Sequence, residues 1–546
     1  MADSSVRRLK PWGWGFEDQA PSSRELNEAA SGVRQMFGFG EEPVEPVAAE
    51  EVVLAGPRIE LPEGREGLFT SDRHERLVHS LGKAYRDVVR GHRGEFENPP
   101  DVVAFPADRE EVELVLERAD SAGAAVIPFG GGTSVVGGVE PRLDDPERPV
   151  ISLDLREMAS VLEVDSVSGS ARIEAGARGP ALEAMLREHD LTLRHFPQSF
   201  EFSTLGGWVA TRAGGHFATG ETHIDDLVES VTAVTPSGLW QSRRLPGSGA
   251  GPSPDRLLIG SEGTLGVITD SWVRVRPRPV FRASATIGFT DFVEAATGAV
   301  REIAQSGLAP SNCRLIDRNE AAMMMAGDGS EDLLLLGFES ATVPVGEMLD
   351  RAVGIATASG GEVRARRVVD GQGPDGEDES GAGRWRTAFL MAPYLRDTLV
   401  CCGVLSETFE SAITWDRFAE FHGSVVEATV RAALDAGTPG SLPPRVTCRL
   451  THVYPDGAAP YFTVIAPAVR GGEVEQWDEI KRAASEAIAT AGGTITHHHA
   501  VGRDHRPWYD RQRPEPFAAA LASAKSGVDP SWMLNPGVLV DRPDPT

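Results

Sequence analysis

The sequence predicts an α+β protein with at least two domains, and three observations carry this prediction. The chain has 546 residues, more than a single hydrophobic core usually organises. Short apolar runs typical of strands alternate with helix-period segments from residue 102 onward. After residue 279 the same two patterns begin again, which indicates a second domain.

The first domain is expected to span residues 98–279 and to open in a βαβ-like order. A strand over 102–105 is followed by a helix over 109–122 and a strand over 124–127. Pro180 fits the first turn of the next predicted helix, because its missing N–H would have no partner there. Further strands and that helix are predicted at 150–153, 161–164, 171–174 and 179–189.

The second domain is expected to be α/β, with amphipathic helices over 291–306 and 346–358. Its acidic, glycine-rich stretch 371–383 is typical of a flexible surface loop. Residues 247–254, rich in glycine, serine and proline, are predicted to be an exposed loop in the first domain.

Composition excludes several classes of function. A formal net charge of −28 argues against a nucleic-acid binder, which normally carries a basic patch. Four cysteines are too few for a disulfide framework, and none are spaced as a zinc knuckle. No signal peptide or spanning helix is apparent, so a soluble protein of the reducing cytoplasm is expected. Peripheral membrane contact and a homodimer stay open.

A glycine-rich run after the strand 124–127 is the most informative motif. Glycine can present backbone N–H groups directly to phosphate, and neighbouring hydroxyls add uncharged donors. The run is neither a P-loop nor a G-x-G-x-x-G fingerprint, and alone it could be a plain turn. It consists of Pro128, Phe129, Gly130, Gly131, Gly132, Thr133 and Ser134.

Three more blocks combine glycines with hydroxyl side chains, as a dinucleotide lying across several loops requires. Together they make unrelated turns a poor explanation. The first contains Gln198, Ser199, Phe200, Glu201, Phe202, Ser203 and Thr204, and the second contains Thr211, Arg212, Ala213 and Gly214. The third contains Glu262, Gly263, Thr264, Leu265, Gly266, Val267 and Ile268.

These blocks, with Asn535-Pro536-Gly537, resemble the FAD-binding domain of the vanillyl-alcohol oxidase and p-cresol methylhydroxylase superfamily. The resemblance implies a two-subdomain FAD-binding domain of this type, an α/β substrate (cap) domain and helical termini. Covalent members often attach the flavin through a histidine near the first block. Here Thr133 and Ser134 occupy that stretch, which favours non-covalent FAD, while His216 and His223 leave attachment open.

A closer resemblance, covering nearly the whole length, is to the alkyldihydroxyacetonephosphate synthase family. It is carried by the motifs Trp12-Gly13-Trp14-Gly15, Glu201-Phe202-Ser203-Thr204, Ala392-Pro393-Tyr394-Leu395-Arg396-Asp397, Glu407-Thr408-Phe409-Glu410, Trp415-Asp416-Arg417 and His497-His498-His499-Ala500-Val501-Gly502. The resemblance implies exchange of the acyl group of acyl-dihydroxyacetone phosphate for a fatty alcohol. The product is an ether lipid precursor, with FAD as a covalent trap and no net redox change.

The resemblance also implies a domain plan. Residues 1–97 are expected to be a partly helical N-terminal extension, 98–279 the FAD-binding domain and 280–490 the substrate domain. Residues 491–546 are expected to complete the active site and the FAD domain with the histidine triplet.

Site residues are carried over by motif. Arg314 matches the family's active-site arginine and Arg396 its substrate-binding arginine, and two guanidinium groups could grip a phosphate. Tyr461 matches the catalytic tyrosine, with His497, His498 and His499 as further catalytic residues. If the triplet is extended, His497 and His499 share one face and His498 the other. Arg449 and His452 are weaker candidates for the same wall.

Rival functions stay open. A 2-hydroxy-acid dehydrogenase of the same superfamily would need metal-binding motifs that are broken here at Tyr461 and Thr496, so no metal is expected. An FAD-linked alcohol oxidase would use the same cradle and the same bases. A non-enzymatic binding module is disfavoured because the reactive residues are all in place.

Overall fold

The computed structural model describes residues 7–60, 64–65, 67–369, 371 and 394–543. Of the predicted loop 371–383 only Gly371 falls within these residues, and Ala392 and Pro393 of one family motif lie outside them. The described residues form a four-stranded, a five-stranded and an eight-stranded sheet, with a separate two-stranded pair.

The first sheet confirms the predicted βαβ opening. Strand Val102–Ala104 leads through helix Arg109–Ser121 to strand Ala125–Phe129. Both strands run parallel to Val150–Asp154, which lies between them, while Phe69–Thr70 pairs antiparallel at the edge. The helix begins where the Asp108 side chain accepts the Glu111 N–H, and its apolar spacing buries one face against the sheet.

The second sheet is antiparallel and shares one hydrophobic core with the first. In spatial order its strands are Val161–Asp165, Ser170–Glu174, Val267–Arg274, Val228–Thr235 and Gly238–Gln241. Associated elements are helices Gly179–Arg187, Leu205–Thr211 and Asp255–Leu258, and the pair Leu191–Thr192 with Arg276–Pro277. Residues 247–254 are exposed, as predicted.

The third sheet differs from a βαβ arrangement, because its eight strands are antiparallel at every described pairing. For one pair the reason is local: residues 454–456 join Arg445–Val453 to Gly457–Pro467, and a connection this short joins only antiparallel neighbours. The strand order is Glu362–Val369, Phe281–Phe289, Asp332–Ser340, Asn312–Ile316, Arg445–Val453, Gly457–Pro467 and Val404–Glu410, with Ile413–Thr414 paired to Gly457–Pro467.

Helices pack against this sheet, and the buried side chains between them form a second large hydrophobic core. They are Thr297–Gln305, Gly346–Ala358, Phe418–Asp435 and Glu473–Thr490. The helix predicted over 291–306 begins as a π-helical turn, Phe292–Ala296, before the α-helix. The helix predicted over 346–358 is confirmed.

The remaining helices surround the two cores. Their bounds are Ser23–Phe37, Arg73–Val78, Tyr85–His92, Arg318–Met323, Arg506–Gln512 and Glu515–Val528, and residues 394–401 are also helical. Short 3-10 turns lie at Glu17–Gln19, Ile224–Asp226 and Trp415–Arg417. The C-terminal segment returns to the first sheet, where Leu534 bridges Val126. Among the described residues, every helix is too short or too polar to cross a lipid bilayer.

Candidate active site

A cavity of about 730 Å³ lies where the three sheets meet. Glycine-rich loops of the first two sheets form one wall, and the eight-stranded sheet forms the opposite wall. The N-terminal helix Ser23–Phe37 and residues 394–401 close a third side. Elements from most of the chain therefore meet in one space.

The predicted phosphate cradle lines this cavity from Pro128 to Val135. Within the described structure, the backbone N–H groups from Gly130 to Ser134 have no protein acceptor, so they can receive an anionic ligand. The glycines have a second role. A Cβ on Gly131 would lie 2.0 Å from the Phe202 carbonyl oxygen, because the two loops touch there. Close packing of the loops, as well as access for phosphate, thus requires glycine.

The other predicted cofactor residues divide into two groups. Gln198, Ser199, Ser203, Thr204, Thr211, Ala213, Gly214, Glu262, Gly263, Gly266 and Ile268 line the cavity. The described cavity wall does not include Phe200, Glu201, Phe202, Arg212, Thr264, Leu265 or Val267. A physical reason is visible for two of these. The Phe200 ring stacks on Trp208, and exposed Arg212 pairs with Asp225 at 2.8 Å.

Glu262 ties the C-terminal segment to the cofactor loops. Its buried carboxylate accepts the Val501 and Gly502 N–H groups, each at 2.8 Å. Burial raises the pKa of Glu262 to about 7, and these two hydrogen bonds oppose that rise. The Asn535 amide donates to the Glu262 carbonyl at 2.7 Å and to the Gly138 carbonyl at 3.0 Å. Through Asn535, the Asn-Pro-Gly motif therefore holds the C-terminal segment against the cofactor loops.

The opposite wall uses strand alternation. Tyr461, Thr463 and Ile465 point from one face of strand Gly457–Pro467 into the cavity. On the neighbouring strand a bulge between Leu450 and His452 interrupts the alternation. As a result Thr451 and His452 both line the cavity together with Arg449.

Tyr461 lies among cationic and imidazole groups. The Arg449 guanidinium sits 3.7 Å from the centre of its ring, and the His499 and His498 rings are 5.4 and 6.1 Å away. Burial raises the pKa of Tyr461, and Arg449, a hydrogen bond with Thr408 and Arg396 oppose that rise. Arg449 is itself held by an ion pair with buried Glu320.

Both predicted phosphate-binding arginines line the cavity. Arg314 donates through Nη2 to the His216 carbonyl at 3.2 Å, and burial together with Arg449 lowers its pKa to about 9. Arg396 donates to the Lys83 carbonyl at 2.9 Å and to Thr408 Oγ1 at 3.4 Å. Both arginines therefore line one cavity although they are 82 positions apart in the chain.

The histidine triplet is a bend and not an extended strand, so the condition for the predicted alternation of its side chains is not met. Buried Glu410 is the reason, because its carboxylate accepts the backbone N–H groups of His497, His498 and His499 and so curls the chain around itself. His498 and His499 line the cavity, while His497 lies behind them.

The two other histidines considered for flavin attachment are placed behind the described cavity wall. The His216 ring lies 4.7 Å from Phe196 and 4.4 Å from Phe217. His223 donates from Nε2 to the His497 carbonyl at 3.0 Å.

Ring nitrogens of His452, His497 and His498 lie within 4.8 Å of one another. Protein groups already engage both nitrogens of His452 and both of His497. We therefore treat this cluster as a hydrogen-bonded network and assign no metal to it.

Sequence reasoning missed the apolar arm of the cavity. Helix Ser23–Phe37 contributes Ala29, Gly32, Val33, Met36 and Phe37, and the turn after Arg318–Met323 contributes Met324 and Met325. The amphipathic pattern of the N-terminal helix could have indicated a buried face, but nothing local indicates what that face covers.

Comparison with known proteins finds sequence matches over most of the chain. Residues 100–242 match a family model described as an FAD binding domain, and residues 278–539 match FAD linked oxidases, C-terminal domain. An alkyldihydroxyacetonephosphate synthase of Caenorhabditis elegans is 31% identical over 91% of this chain and 84% of its own.

Solved structures agree with these matches. An alkyldihydroxyacetonephosphate synthase structure superposes with a TM-score of 0.79 at 25% identity, covering 97% of this chain and 98% of its own. A p-cresol methylhydroxylase shares the fold, with a TM-score of 0.65 at 15% identity over 96% of this chain and 98% of its own.

The free N–H groups of the cradle and the hydroxyls beside it suit the diphosphate of FAD, which is the cofactor. The chain belongs to the alkyldihydroxyacetonephosphate synthase family of FAD-dependent enzymes.

Proposed function

We propose that this enzyme exchanges the acyl group of an acyl-dihydroxyacetone phosphate for a fatty alcohol. One observation carries the proposal: the cofactor loops, two arginines, a tyrosine with two histidines and an apolar arm all line a single cavity. A phosphorylated carbonyl compound with a long chain needs each of these parts.

The substrate would lie with its phosphate at the arginines. Arg314 and Arg396 can each present a planar fork to phosphate oxygens, and a charge-assisted pair of this kind fixes orientation as well as affinity. The chain would extend between helix Ser23–Phe37 and the methionines after residue 322, where the cavity wall is apolar. In this pose the acyloxy-bearing carbon, on the side of the ketone away from the phosphate, would face the cofactor loops.

Proton transfer would fall to the wall around Tyr461. The Tyr461 phenolate or a neutral imidazole of His498 or His499 would take the proton from the acyloxy-bearing carbon next to the substrate ketone, and the departing carboxylate and the entering alcohol would exchange at that carbon. Bound FAD would supply an electron-poor ring system able to hold the substrate carbon during this exchange. Arg449 favours the phenolate when Tyr461 gives up its proton.

The decisive assay is anaerobic incubation of FAD-loaded protein with palmitoyl-dihydroxyacetone phosphate and hexadecanol. We expect alkyl-dihydroxyacetone phosphate and free palmitate, with no lasting bleaching of the flavin spectrum. Absence of ether product, with flavin bleaching by an alcohol or a 2-hydroxy acid, would assign the oxidase or dehydrogenase alternative instead.

The flavin is proposed to be held without a covalent bond. The cradle offers Thr133 and Ser134, and neither His216, whose ring packs against Phe217, nor His223, which donates to the His497 carbonyl, belongs to the described cavity wall. Acid precipitation should release all of the yellow colour into the supernatant, whereas colour retained in the pellet would show covalent attachment.

Peripheral membrane contact is proposed at the mouth of the apolar arm. Met36, Met325 and Leu395 line the cavity and yet are 44%, 64% and 47% exposed, which forms an apolar rim. Flotation with phosphatidylcholine vesicles should recover the wild type, and Met325→Glu should reduce recovery. Equally high recovery of both proteins would place the contact elsewhere, and failure of the wild type to float would exclude it.

A further inference from the structure

A continuous line of hydrogen bonds runs from the cavity wall into the protein. His498 Nδ1 lies 3.0 Å from His497 Nδ1, and His497 Nε2 lies 2.7 Å from the Tyr454 hydroxyl. The Tyr454 hydroxyl lies 3.1 Å from Thr222 Oγ1, which in turn lies 3.2 Å from His223 Nδ1. Five side chains are thus linked without a break.

The direction of this line follows from its inner end. His223 Nε2 lies 3.0 Å from the His497 carbonyl oxygen, and a carbonyl only accepts, so this nitrogen carries a proton. In neutral His223 the other nitrogen, Nδ1, must then accept, which makes Thr222 its donor. Only the imidazole tautomers consistent with these roles satisfy the whole network.

Each later link is fixed in the same way. With its proton directed at His223, Thr222 Oγ1 accepts from the Tyr454 hydroxyl. Tyr454 then accepts from His497 Nε2, and His497 Nδ1 accepts from His498 Nδ1. Glu410 Oε2, 3.7 Å from His498 Nδ1, also favours a proton on that nitrogen. Every donor has an acceptor, and the remaining nitrogen of His498 is left for the cavity.

Burial keeps the members of this line in the protonation states that proton transfer requires. Burial lowers the pKa of His497 and of His498, so both imidazoles are neutral near pH 7. Burial also raises the pKa of Tyr454 to about 12, so its hydroxyl keeps the proton that it must donate. Neutral, fully hydrogen-bonded members are the condition for passing a proton along a chain of groups.

We propose that Thr222, His223 and Tyr454 form, with His497 and His498, a proton relay that carries a proton between the cavity and His223. A proton taken up at His498 Nε2 releases the one on Nδ1 to His497, and each partner in turn passes one proton inward. His223 ends as imidazolium, the other members end neutral, and no electrons move. The reverse sequence returns the proton to the cavity.

This proposal rests on the proposed function and takes His498, one of the bases named there, as the group that accepts the substrate proton. Its new content is that His498 does not have to store that proton beside the reacting carbon. Transfer to His223 would remove a positive charge from the cavity until the alcohol has entered. Tyr454, Thr222 and His223 are positioning residues, because they act through His498 and do not line the described cavity.

The test compares substitutions that break the line with one that keeps it. Thr222→Val removes the hydroxyl at nearly constant volume, whereas Thr222→Ser retains it. Tyr454→Phe breaks the line at another point, and His223→Asn keeps a side-chain donor but cannot hold the proton. Thr219→Val is the matched control, because Thr219 donates to the Pro310 carbonyl at 2.6 Å and lies outside the line.

With FAD-loaded full-length protein, we expect Thr222→Val, Tyr454→Phe and His223→Asn to slow ether formation by about 10²-fold, the lower range for a lost acid–base group. Washout of the substrate α-hydrogen into D₂O should slow in parallel. Thr222→Ser and Thr219→Val should keep near wild-type rates, and all five should bind FAD in full. The proton inventory of the wild type should curve, as several hydrogens in flight require, and become linear in Thr222→Val.

Other results would overturn the relay. Thr222→Val with at least half the wild-type rate, or equal losses in Thr222→Val and Thr222→Ser, would show that the hydroxyl only packs. Activity lost on dialysis against EDTA and restored by zinc would show that the histidines hold a metal. If the wild type forms no ether at all, the proposed function fails first. Should Thr222→Val not fold, Tyr454→Phe carries the same comparison.

Discussion

At the scale of single residues, Tyr461 is the group on which the proposed chemistry depends most. Tyr461→Phe removes only the hydroxyl, and the ring can still pack beneath Arg449 at 3.7 Å. We expect the exchange rate to fall by about 10² to 10⁴-fold, the usual contribution of a positioned acid–base group. The rate of ether formation and the flavin spectrum, measured on the same sample, check this.

The control for that substitution is Tyr509→Phe, since Tyr509 lies outside the described cavity wall, beside Arg513. It should leave the exchange rate near that of the wild type. Full activity in Tyr461→Phe would remove the tyrosine from the mechanism and leave the proton transfer to His498 or His499.

Glu410 acts indirectly, by holding the backbone of the histidine triplet in place. Its carboxylate gathers three consecutive backbone N–H groups and the Thr496 hydroxyl, which is why the histidine triplet curls. Glu410→Gln turns one acceptor into a donor that faces these donors, at a cost of about 1–3 kcal/mol for a buried unsatisfied group. We expect a lower thermal midpoint and weaker activity, because His498 and His499 lose their frame.

Exposed Glu427→Gln is the comparison for Glu410→Gln. Glu427 pairs with Arg431 on the surface, and its side chain is 71% exposed. Equal thermal midpoints for the two variants would mean that Glu410 does not organise the loop.

At the scale of elements, the cradle loop gives a sharp prediction. Gly131→Ala would place a Cβ 2.0 Å from the Phe202 carbonyl oxygen, and backbone cannot move aside as a flexible side chain can. The two cofactor loops should separate, and FAD content per chain should fall well below that of the wild type. Gly249→Ala, where nothing lies within 4 Å, should bind FAD in full. Equal FAD content in both would show that the loops tolerate separation.

The N-terminal segment holds the element that carries Arg396. Lys10 Nζ pairs with Asp397 at 2.6 Å, with both side chains buried, and the Trp14 N–H donates to the same carboxylate at 2.8 Å. Lys10→Met would leave Asp397 charged and buried without its cation, a change that usually costs about 3–5 kcal/mol. We expect a lower thermal midpoint and a higher KM for the phosphate substrate.

Arg7→Met removes a cation from the same segment and serves as the reference. The Arg7 ion pair with Asp18 is exposed, and such pairs contribute little to stability. If Lys10→Met changes KM no more than Arg7→Met does, the segment does not position Arg396.

Some structural elements could be predicted from local sequence and others could not. Strand Val102–Ala104 and helix Arg109–Ser121 follow from apolar spacing and from the cap at Asp108, which are local signals. The curl of the histidine triplet was not predictable, because Glu410 lies 87 residues before His497. The bulge that turns His452 into the cavity depends on pairing with Ala459, which the residues of one strand do not encode.

At the scale of the whole molecule, the cavity is a product of long-range contacts. Glycine-rich motifs predicted the cofactor loops, because glycine has no Cβ and lets the backbone come close to a bound ligand. The apolar arm was missed because helix Ser23–Phe37 reaches a cavity whose other walls are formed by residues between Pro128 and Asn535, far along the chain. The carried-over roles of Arg314, Arg396 and Tyr461 stay predictions until they are tested.

Buried titratable groups across the molecule predict how stability depends on pH. Burial lowers the pKa of His195 and of His505 to about 3. Burial likewise lowers the pKa of His216, His452, His497, His498 and His499. In the unfolded chain these histidines take up protons near pH 6.5, whereas in the folded protein they do not, so folding is penalised as pH falls below 6.5.

Buried carboxyl groups act in the opposite direction. Burial raises the pKa of Glu262 and of Asp317 to about 7 and that of Asp504 to about 6. The folded protein therefore takes up these protons before the unfolded chain does, which favours folding as pH falls from 7 towards 4.5. The histidines outnumber the carboxyl groups, and each group contributes about 1.4 kcal/mol per pH unit within its window.

The balance predicts that the FAD-saturated protein loses several kcal/mol of stability between pH 6.5 and pH 5, since each group adds about 1.4 kcal/mol per pH unit. Thermal midpoints measured at half-unit steps from pH 7.5 to pH 5 should fall steadily below 6.5. His195→Leu should flatten this fall, because His195 is buried against Trp208 at 5.1 Å and an apolar side chain takes up no proton when the chain unfolds. A midpoint that stays level or rises towards pH 5 would mean that the carboxyl groups, and not the histidines, control the acid limb.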